Sequence, residues 1–376
     1  MRKRVFIALN TTWNLVNFRS GLIRALNAEG YEVAGAAPED QYVDALRSLG
    51  CHYHPLEMDR QGMNPFKDAL LLARFWLLMR RVRPNIFLGF TVKPNIYGSI
   101  AATALKIPTI NNVSGLGATF TKDSMITPLV RFLYRLSLSS AFRVFFQNSE
   151  DLSLFVDSGI VKREKARLLP GSGVDLDRYR RTPLPVNKKF RFLLVARLLW
   201  DKGIREYVDA VRILKGKGVN AEFCVLGLIE RSSKFSVSRA QIHKWESQGI
   251  INYLGNSDDV RVELTEAGCV VLPSYYPEGT PRSLLEAAAM ARPIITTRVP
   301  GCRDVVEDGV TGYLCNARDS KDLAEKMLKV LALDPEERTE MGSCGRRKME
   351  REFDEKIVIE RYSAAINEAV TSSKKR

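Results

Sequence analysis

Arg197 and Lys202 bracket the stretch Arg197-Leu-Leu-Trp-Asp-Lys202-Gly203, directly after an apolar run at 190–196. A run of that length followed by glycine reads as a buried strand ending at Arg197, with a helix starting past Gly203. Two cations, a strand end and a helix N-terminus together make an anion site. The cations supply charge and the first-turn backbone N–H groups supply donors. A diphosphate suits such a site. A second apolar run, 269–273, leads into Ser274-Tyr-Tyr-Pro-Glu-Gly-Thr-Pro-Arg-Ser-Leu-Leu-Glu286. There Gly279 permits close backbone approach and Pro281 suits a first helical turn. Glu278 lies in the loop and Glu286 inside a predicted helix over 283–290. That separation is too large for the two acids to share a proton, so they read as grips on two hydroxyl-bearing groups, one a sugar and the other a ribose.

The elements that must position these residues follow from alternation along the chain. Short apolar runs at 5–9, 32–36, 86–90, 109–113 and 144–147 read as buried strands, with helical-period segments at 19–29, 41–49 and 94–104 between them. A hinge rich in proline and glycine is expected over 170–187. A second series follows: strands at 190–196, 221–226, 251–254, 269–273 and 293–297, and helices at 204–215, 258–266 and 283–290. The sequence thus predicts an α/β protein with two doubly wound, Rossmann-like parallel sheets facing a cleft. The domains are expected at 1–183 and 184–355, with 356–376 as a C-terminal helix returning to the first domain and ending in a frayed basic tail.

Composition narrows the partners. Of 376 residues, 57 are Lys or Arg and 43 Asp or Glu, a net charge of +14. Residues 1–187 hold 25 basic and 15 acidic side chains, against 32 and 28 in the remainder, so the first half carries most of the positive field. That favours phosphates, nucleic acid or an acidic membrane face as a partner. No apolar window is long enough to span a bilayer, and the run at 5–9 is too short for a signal peptide. Six scattered cysteines without a Cys-x-x-Cys pair read as reduced thiols in a cytosolic protein. His52 and His54 lack a third ligand nearby, so no metal site is expected.

Taken together, the 197–203 stretch and Glu278-x7-Glu286 resemble the donor-binding half of retaining glycosyltransferases of the GT-B fold, family four of the sequence-based classification. Gly173-Val-Asp-Leu-Asp-Arg-Tyr179 is similar to that family's hinge-opening segment, and the residues from Pro300-Gly301 to Gly312-Tyr313 to its late loop. Asn10-Thr-Thr-Trp-Asn-Leu-Val-Asn-Phe-Arg19 stands where many members carry a glycine pair. With Thr91-Val-Lys-Pro-Asn-Ile-Tyr97 and Asn112-Val-Ser-Gly-Leu-Gly117, it resembles the bacterial subgroup that extends polyprenyl-diphosphate-linked sugars in glycan, O-antigen or capsule assembly.

The resemblance implies that Arg197 and Lys202 hold a donor diphosphate, Glu278 the donor sugar and Glu286 the ribose. Gly279, Thr280 and Pro281 would meet the phosphate, with Leu285, Tyr253 and Gly255 also on the donor side. Asn17, Arg19 and Lys93 are candidates for the acceptor or its phosphate. It implies a nucleotide sugar as co-substrate (a UDP-sugar, an N-acetylhexosamine donor among the options), a lipid-linked acceptor and no obligatory cofactor. It also implies a cytoplasmic enzyme peripheral on the inner face of the membrane. A soluble or different lipid acceptor stays open.

With no further acid in the donor loop, a front-face displacement is expected, in which the diphosphate leaves first and takes the incoming hydroxyl's proton. Two fixed cations would replace the divalent ion. Asp175-x-Asp177 imitates a metal motif but reads as a turn device. A basic nucleic-acid-binding protein is disfavoured because no recognised module appears and aromatics do not interleave with the cations. A dinucleotide oxidoreductase is disfavoured because no Gly-x-Gly-x-x-Gly follows the first strand. Two basic apolar helices, 66–83 and 128–143, read either as sheet-packed helices or as surfaces for an anionic leaflet.

Overall fold

The computed structural model describes residues 2–59, 64–115, 127–186, 189–230, 235–277 and 279–373. Expectations at Glu278, Leu116, Gly117, Asn187 and the tail 374–376 lie outside the described residues.

Seven strands form the first sheet: β1 (Arg4–Ala8), β2 (Glu32–Ala37), β3 (Cys51–Pro55), β4 (Ile86–Phe90), β5 (Thr109–Val113), β6 (Arg143–Phe146) and β7 (Ala166–Leu168). Their order is β3-β2-β1-β4-β5-β6-β7, and every pairing is parallel. Along β1 the side chains alternate between two buried faces. Val5 and Ile7 pack with Tyr362 and Ile366 of the helix Glu355–Ser373, while Phe6 and Ala8 pack with Phe75 and Met79 of the helix Pro65–Val82. Burial on both faces is why these strands read as continuous apolar runs. The edge strands β3 and β7 gave no such run. β3 is Cys-His-Tyr-His-Pro, covered on one side only, and β7 has three residues.

The second sheet joins β8 (Arg191–Val195), β9 (Glu222–Leu226), β10 (Asn252–Tyr253), β11 (Cys269–Leu272), β12 (Ile294–Thr297) and β13 (Gly312–Cys315) in the order β10-β9-β8-β11-β12-β13, again all parallel. Phe192 and Leu194 of β8 face one core, and Leu193 and Val195 the other. The helices Arg239–Ser247, Ser320–Ala332 and Pro335–Lys348 were not among those expected from the sequence, although Ser320–Ala332 buries a regular stripe of Leu323, Met327 and Val330. All six cysteines are free thiols. Among the described residues, no helix is long and apolar enough to cross a membrane.

The chain divides into two compact units, Met1–Ser172 with Glu355–Arg376, and Gly173–Asp354. The division falls at Ser172, before the boundary drawn at 183, because the expected hinge is already fastened into the second unit. Val174, Leu176 and Tyr179 are buried in the core beside the helix Arg282–Ala289. Asp175 Oδ1 accepts from the N–H groups of Asp177 (3.0 Å) and Arg178 (2.9 Å), so the Asp-x-Asp is a turn. Arg292, fully buried, donates to the carbonyls of Met290, Ala267, Thr182 and Pro183 and to the Thr182 hydroxyl. Burial lowers its pKa to about 10, so it stays charged at neutral pH, its proton donors spread over carbonyls.

In the first unit, the helix Thr12–Ala28 begins straight after β1 and covers two turns that its polar sequence had hidden. Thr11 caps it, accepting from the Asn14 N–H at 3.0 Å. Asp40, beyond β2, closes the same terminus by accepting from the backbone N–H groups of Thr12 (3.1 Å) and Trp13 (3.2 Å) and from the Thr12 hydroxyl. Burial pushes this carboxyl up, but the hydrogen bonds from Thr12, Tyr42 and Trp13 outweigh it and leave the pKa below its ordinary value.

Two outcomes are expected. Replacing Arg292 by leucine strands several buried carbonyls and should cost about 3 kcal/mol or more. Thermal melts should show a drop of several degrees, only partly restored by Arg292→Lys. An Arg292→Leu protein melting with the wild type would refute the role of this fan of contacts. Asp40→Ala should cost about 1–2 kcal/mol as a lost helix cap. Because the folded carboxyl titrates below the unfolded one, its contribution is complete above the ordinary carboxylate pKa and lost as pH falls through the folded value. The stability gap between wild type and variant should therefore be constant near neutrality and close in acid, as read by chemical denaturation.

Candidate active site

In the second sheet the strand order reverses between β8 and β11, which are neighbours although far apart in sequence. Loops leaving the carboxyl ends of such a pair line the crevice where doubly wound sheets bind ligands. Arg197 and Lys202 follow β8, and the stretch from Pro273 to Pro281 follows β11. The two loops are drawn together by one close approach. Gly203 has φ +78°, and a Cβ there would lie 2.1 Å from the Pro273 carbonyl oxygen. The Asp201 carbonyl adds two bonds, accepting from the Tyr275 N–H (3.0 Å) and the Ser274 hydroxyl (3.2 Å). Thr297 on β12 donates its hydroxyl to the Ser274 carbonyl and so holds the loop from below.

The cations have different settings. Lys202 is only 9% exposed, with Nζ 5.1 Å from the centre of the Tyr276 ring. An ammonium over a ring face is attracted by the ring quadrupole, which helps hold it in place. Arg197 is exposed and reaches Glu230 at 3.1 Å. Lys202 ends a short turn over Trp200–Lys202, and Gly203 then opens the helix Ile204–Gly216 without contributing a side-chain cap.

Glu286 sits in the helix Arg282–Ala289, buried, 2.9 Å from Arg282 Nε. The two form an i,i+4 ion pair within the helix. The Tyr179 hydroxyl also lies against this carboxylate; burial and the Glu286 charge raise the tyrosine's pKa. Gly279 is buried, and Pro281 stands at the N-cap, its carbonyl accepting from the N–H groups of Leu284 and Leu285. Leu285 itself is core. Thr280 is half-buried between them.

Tyr253 donates its hydroxyl to the Gly227 carbonyl (2.9 Å), and the Gly227 N–H donates to the Gly255 carbonyl (2.8 Å). Gly227 lies so close to Ala196 that a Cβ would meet its carbonyl oxygen at 1.7 Å. The loops after β8, β9 and β10 are thereby joined beside Arg197. Among the described residues, no three His, Cys, Asp or Glu side chains cluster as metal ligands.

The candidates of the first unit are engaged within it. Lys93 pairs with buried Asp68 at 2.8 Å. Arg19 is buried with its guanidinium 4.2 Å over the Phe90 ring. Asn17 donates to the Trp13 carbonyl at 3.0 Å. Thr91, immediately after β4, has φ +62°, a strained conformation for a β-branched residue. Beyond it, Pro94–Gly98 is a π-helical turn. Three contributors escaped the sequence reading. Tyr276 was visible as an aromatic in the loop after β11, but Glu230 and Asp40 act over long separations and left no local signal.

Both halves match models of transferase domains: residues 17–171 a glycosyl transferase 4-like domain, and residues 176–348 the glycosyl transferases group 1. The chain is 30% identical over 370 residues to the N,N'-diacetylbacillosaminyl-diphospho-undecaprenol alpha-1,3-N-acetylgalactosaminyltransferase of Campylobacter jejuni, covering 93% of this chain and 94% of that protein. It is 24% identical to the capsular polysaccharide biosynthesis glycosyltransferase CapM of Staphylococcus aureus, over 98% of each. Its fold is similar to that of Anabaena HepE, solved in complex with UDP and glucose, with a TM-score of 0.79 at 17% identity over 98% of this chain and 100% of that one. By fold, by its domain matches and by likeness along nearly its whole length, the chain belongs to the group 1 glycosyltransferases of the GT-B fold, with a glycosyl transferase 4-like domain in its amino-terminal half.

Proposed function

We propose that this glycosyltransferase moves a sugar from a nucleotide diphosphate sugar, a UDP-sugar in the first instance, onto a polyprenyl-diphosphate-linked sugar with retention of anomeric configuration. The observation that carries the reading is a buried lysine, Lys202, at the carboxyl end of the two central strands of the second sheet, beside a glycine that admits close approach. The likeness to a Campylobacter enzyme whose name specifies a diphospho-undecaprenol acceptor supports the acceptor class. The unit Gly173–Asp354 then takes the donor, and the unit built on Met1–Ser172 takes the acceptor.

In this mechanism Arg197, Lys202 and the N-terminus of the helix Ile204–Gly216 hold the diphosphate. As the anomeric C–O bond breaks, the negative charge that develops on the departing phosphate is met by cations already in place. The acceptor hydroxyl attacks the same face of the sugar, and its proton passes to the phosphate oxygen that has just left. Glu278 orients the donor sugar. Glu286, steadied by Arg282 and Tyr179, grips the ribose with its remaining acceptor capacity. Attachment is peripheral, on the cytoplasmic face of the membrane, where a lipid-linked acceptor presents its sugar.

A panel of nucleotide sugars offered with a polyprenyl-diphosphate sugar, with product mass and anomeric configuration read by mass spectrometry and NMR, tests this directly. An inverted linkage, or transfer to soluble acceptors alone, would refute it. Lys202→Ala should lower kcat by about a hundredfold or more with the melting temperature little changed. Wild-type turnover in that variant would remove the leaving-group argument. Glu286→Gln should raise KM for the nucleotide sugar. A lowered melting temperature with unaltered KM would reduce Glu286 to a partner of Arg282. Two fixed cations make a divalent ion dispensable, so EDTA should leave the rate nearly unchanged. Loss of activity restored by Mg²⁺ would contradict this.

A further inference from the structure

Two helices of the first unit turn apolar side chains outward. In Pro65–Val82 the inward face is supplied by Leu71, Phe75, Met79 and Val82, as an amphipathic helix requires. The opposite face is also apolar: Phe66 is 89% exposed, Leu77 61% and Leu70 51%. At 3.6 residues per turn these three fall within roughly 40° of one another, a single stripe along the helix. Lys67, Arg74 and Arg81 recur beside that stripe. Lys67 and Arg74 also reach Asp59 and Glu57, at 3.0 and 2.9 Å. The helix's one acid, Asp68, is buried against Lys93.

Thr127–Leu138 repeats the arrangement. Val130, Tyr134 and Leu138 are buried in the core, while Leu129, Phe132 and Leu136 are more than half exposed, again on one side. Arg131 and Arg135 stand among them, Arg135 donating to the Ser158 and Gly159 carbonyls, and this helix contains no acid. Both helices pack against the same helical segment, Pro94–Gly98 with Ser99–Ala104, so they flank one region of one unit.

We propose that these two helices form a single surface on which the enzyme lies in the interface of an anionic bilayer. Phe66, Leu70, Leu77, Leu129, Phe132 and Leu136 enter the acyl boundary, and the neighbouring cations meet lipid phosphates. Charge selects this occupant. A second copy docking face to face would set cation against cation across a two-fold axis. A nucleic acid would leave six apolar side chains, four of them leucines, without bases to stack on. The proposal rests on the reading that the acceptor is lipid-linked, and it names the surface that brings the enzyme to it.

The test is flotation of the purified protein with vesicles of phosphatidylglycerol and phosphatidylethanolamine, and with vesicles of phosphatidylcholine alone. The wild type should float with the anionic vesicles, less so as salt is raised, and poorly with the neutral ones. A triple serine variant at Phe66, Leu70 and Leu77 and a double serine variant at Phe132 and Leu136 should each lose about tenfold in vesicle partitioning. Both variants should keep wild-type melting and wild-type transfer to a short-prenyl, water-soluble acceptor. A wild type that ignores anionic vesicles, or variants that float unchanged, would overturn the proposal. So would a dimer in light scattering that the same substitutions dissolve, since a second copy would then own the surface. Vesicle binding without transfer to any polyprenyl acceptor would overturn the acceptor reading and leave this surface standing.

Discussion

The contact between Gly203 and the Pro273 carbonyl governs the loops at the carboxyl end of the second sheet. No side chain fits between them, and the left-handed backbone at Gly203 suits glycine. The approach brings the β8 loop, carrying Lys202, against the β11 loop, carrying Tyr276, so an ammonium comes to rest over an aromatic face in a largely buried position. Gly227 does the same on the other flank, pressing the β9 loop onto Ala196. The result is a cation held in place by packing at the carboxyl end of the sheet.

The two sheets share a topology and treat the equivalent position differently. In each, the first strand of the unit feeds a helix at the point where strand order reverses. In the first unit, Thr11 and Asp40 occupy the donors of that helix, satisfying it from within. In the second, the helix begins at a glycine that brings no capping side chain, beside two cations. One doubly wound frame thus supplies one helix terminus capped by side chains of its own unit and one that begins at a glycine with a buried lysine beside it. Burial of Arg19 and pairing of Lys93 with Asp68 follow the same pattern, in which the first unit spends its cations near the switch point on its own interior.

Charge and hydrophobicity are also distributed unevenly over the first unit. Its helices meet the usual demand for an apolar inner face, and two of them carry a second apolar stripe that their fold does not use. A helix buried along one side and greasy along the other is costly in water unless something else covers it, and the flanking arginines limit what that can be.

The sequence by itself determined the class of fold, because strands covered on both faces are mostly apolar and so announce themselves, as at 86–90 and 269–272. It also put Arg197, Lys202, Gly279, Pro281 and Glu286 on two short segments that follow strand ends readable locally. It left the edge strands β3 and β7 unmarked, because one-sided burial asks for no continuous run. Only the tertiary structure decided the partners of the charges: Glu230 for Arg197, Asp68 for Lys93, Asp40 for a helix terminus, and the ring of Phe90 for Arg19. Those pairings join segments distant in the chain. Coulombic and hydrogen-bond energies depend on a few ångströms that no local pattern encodes.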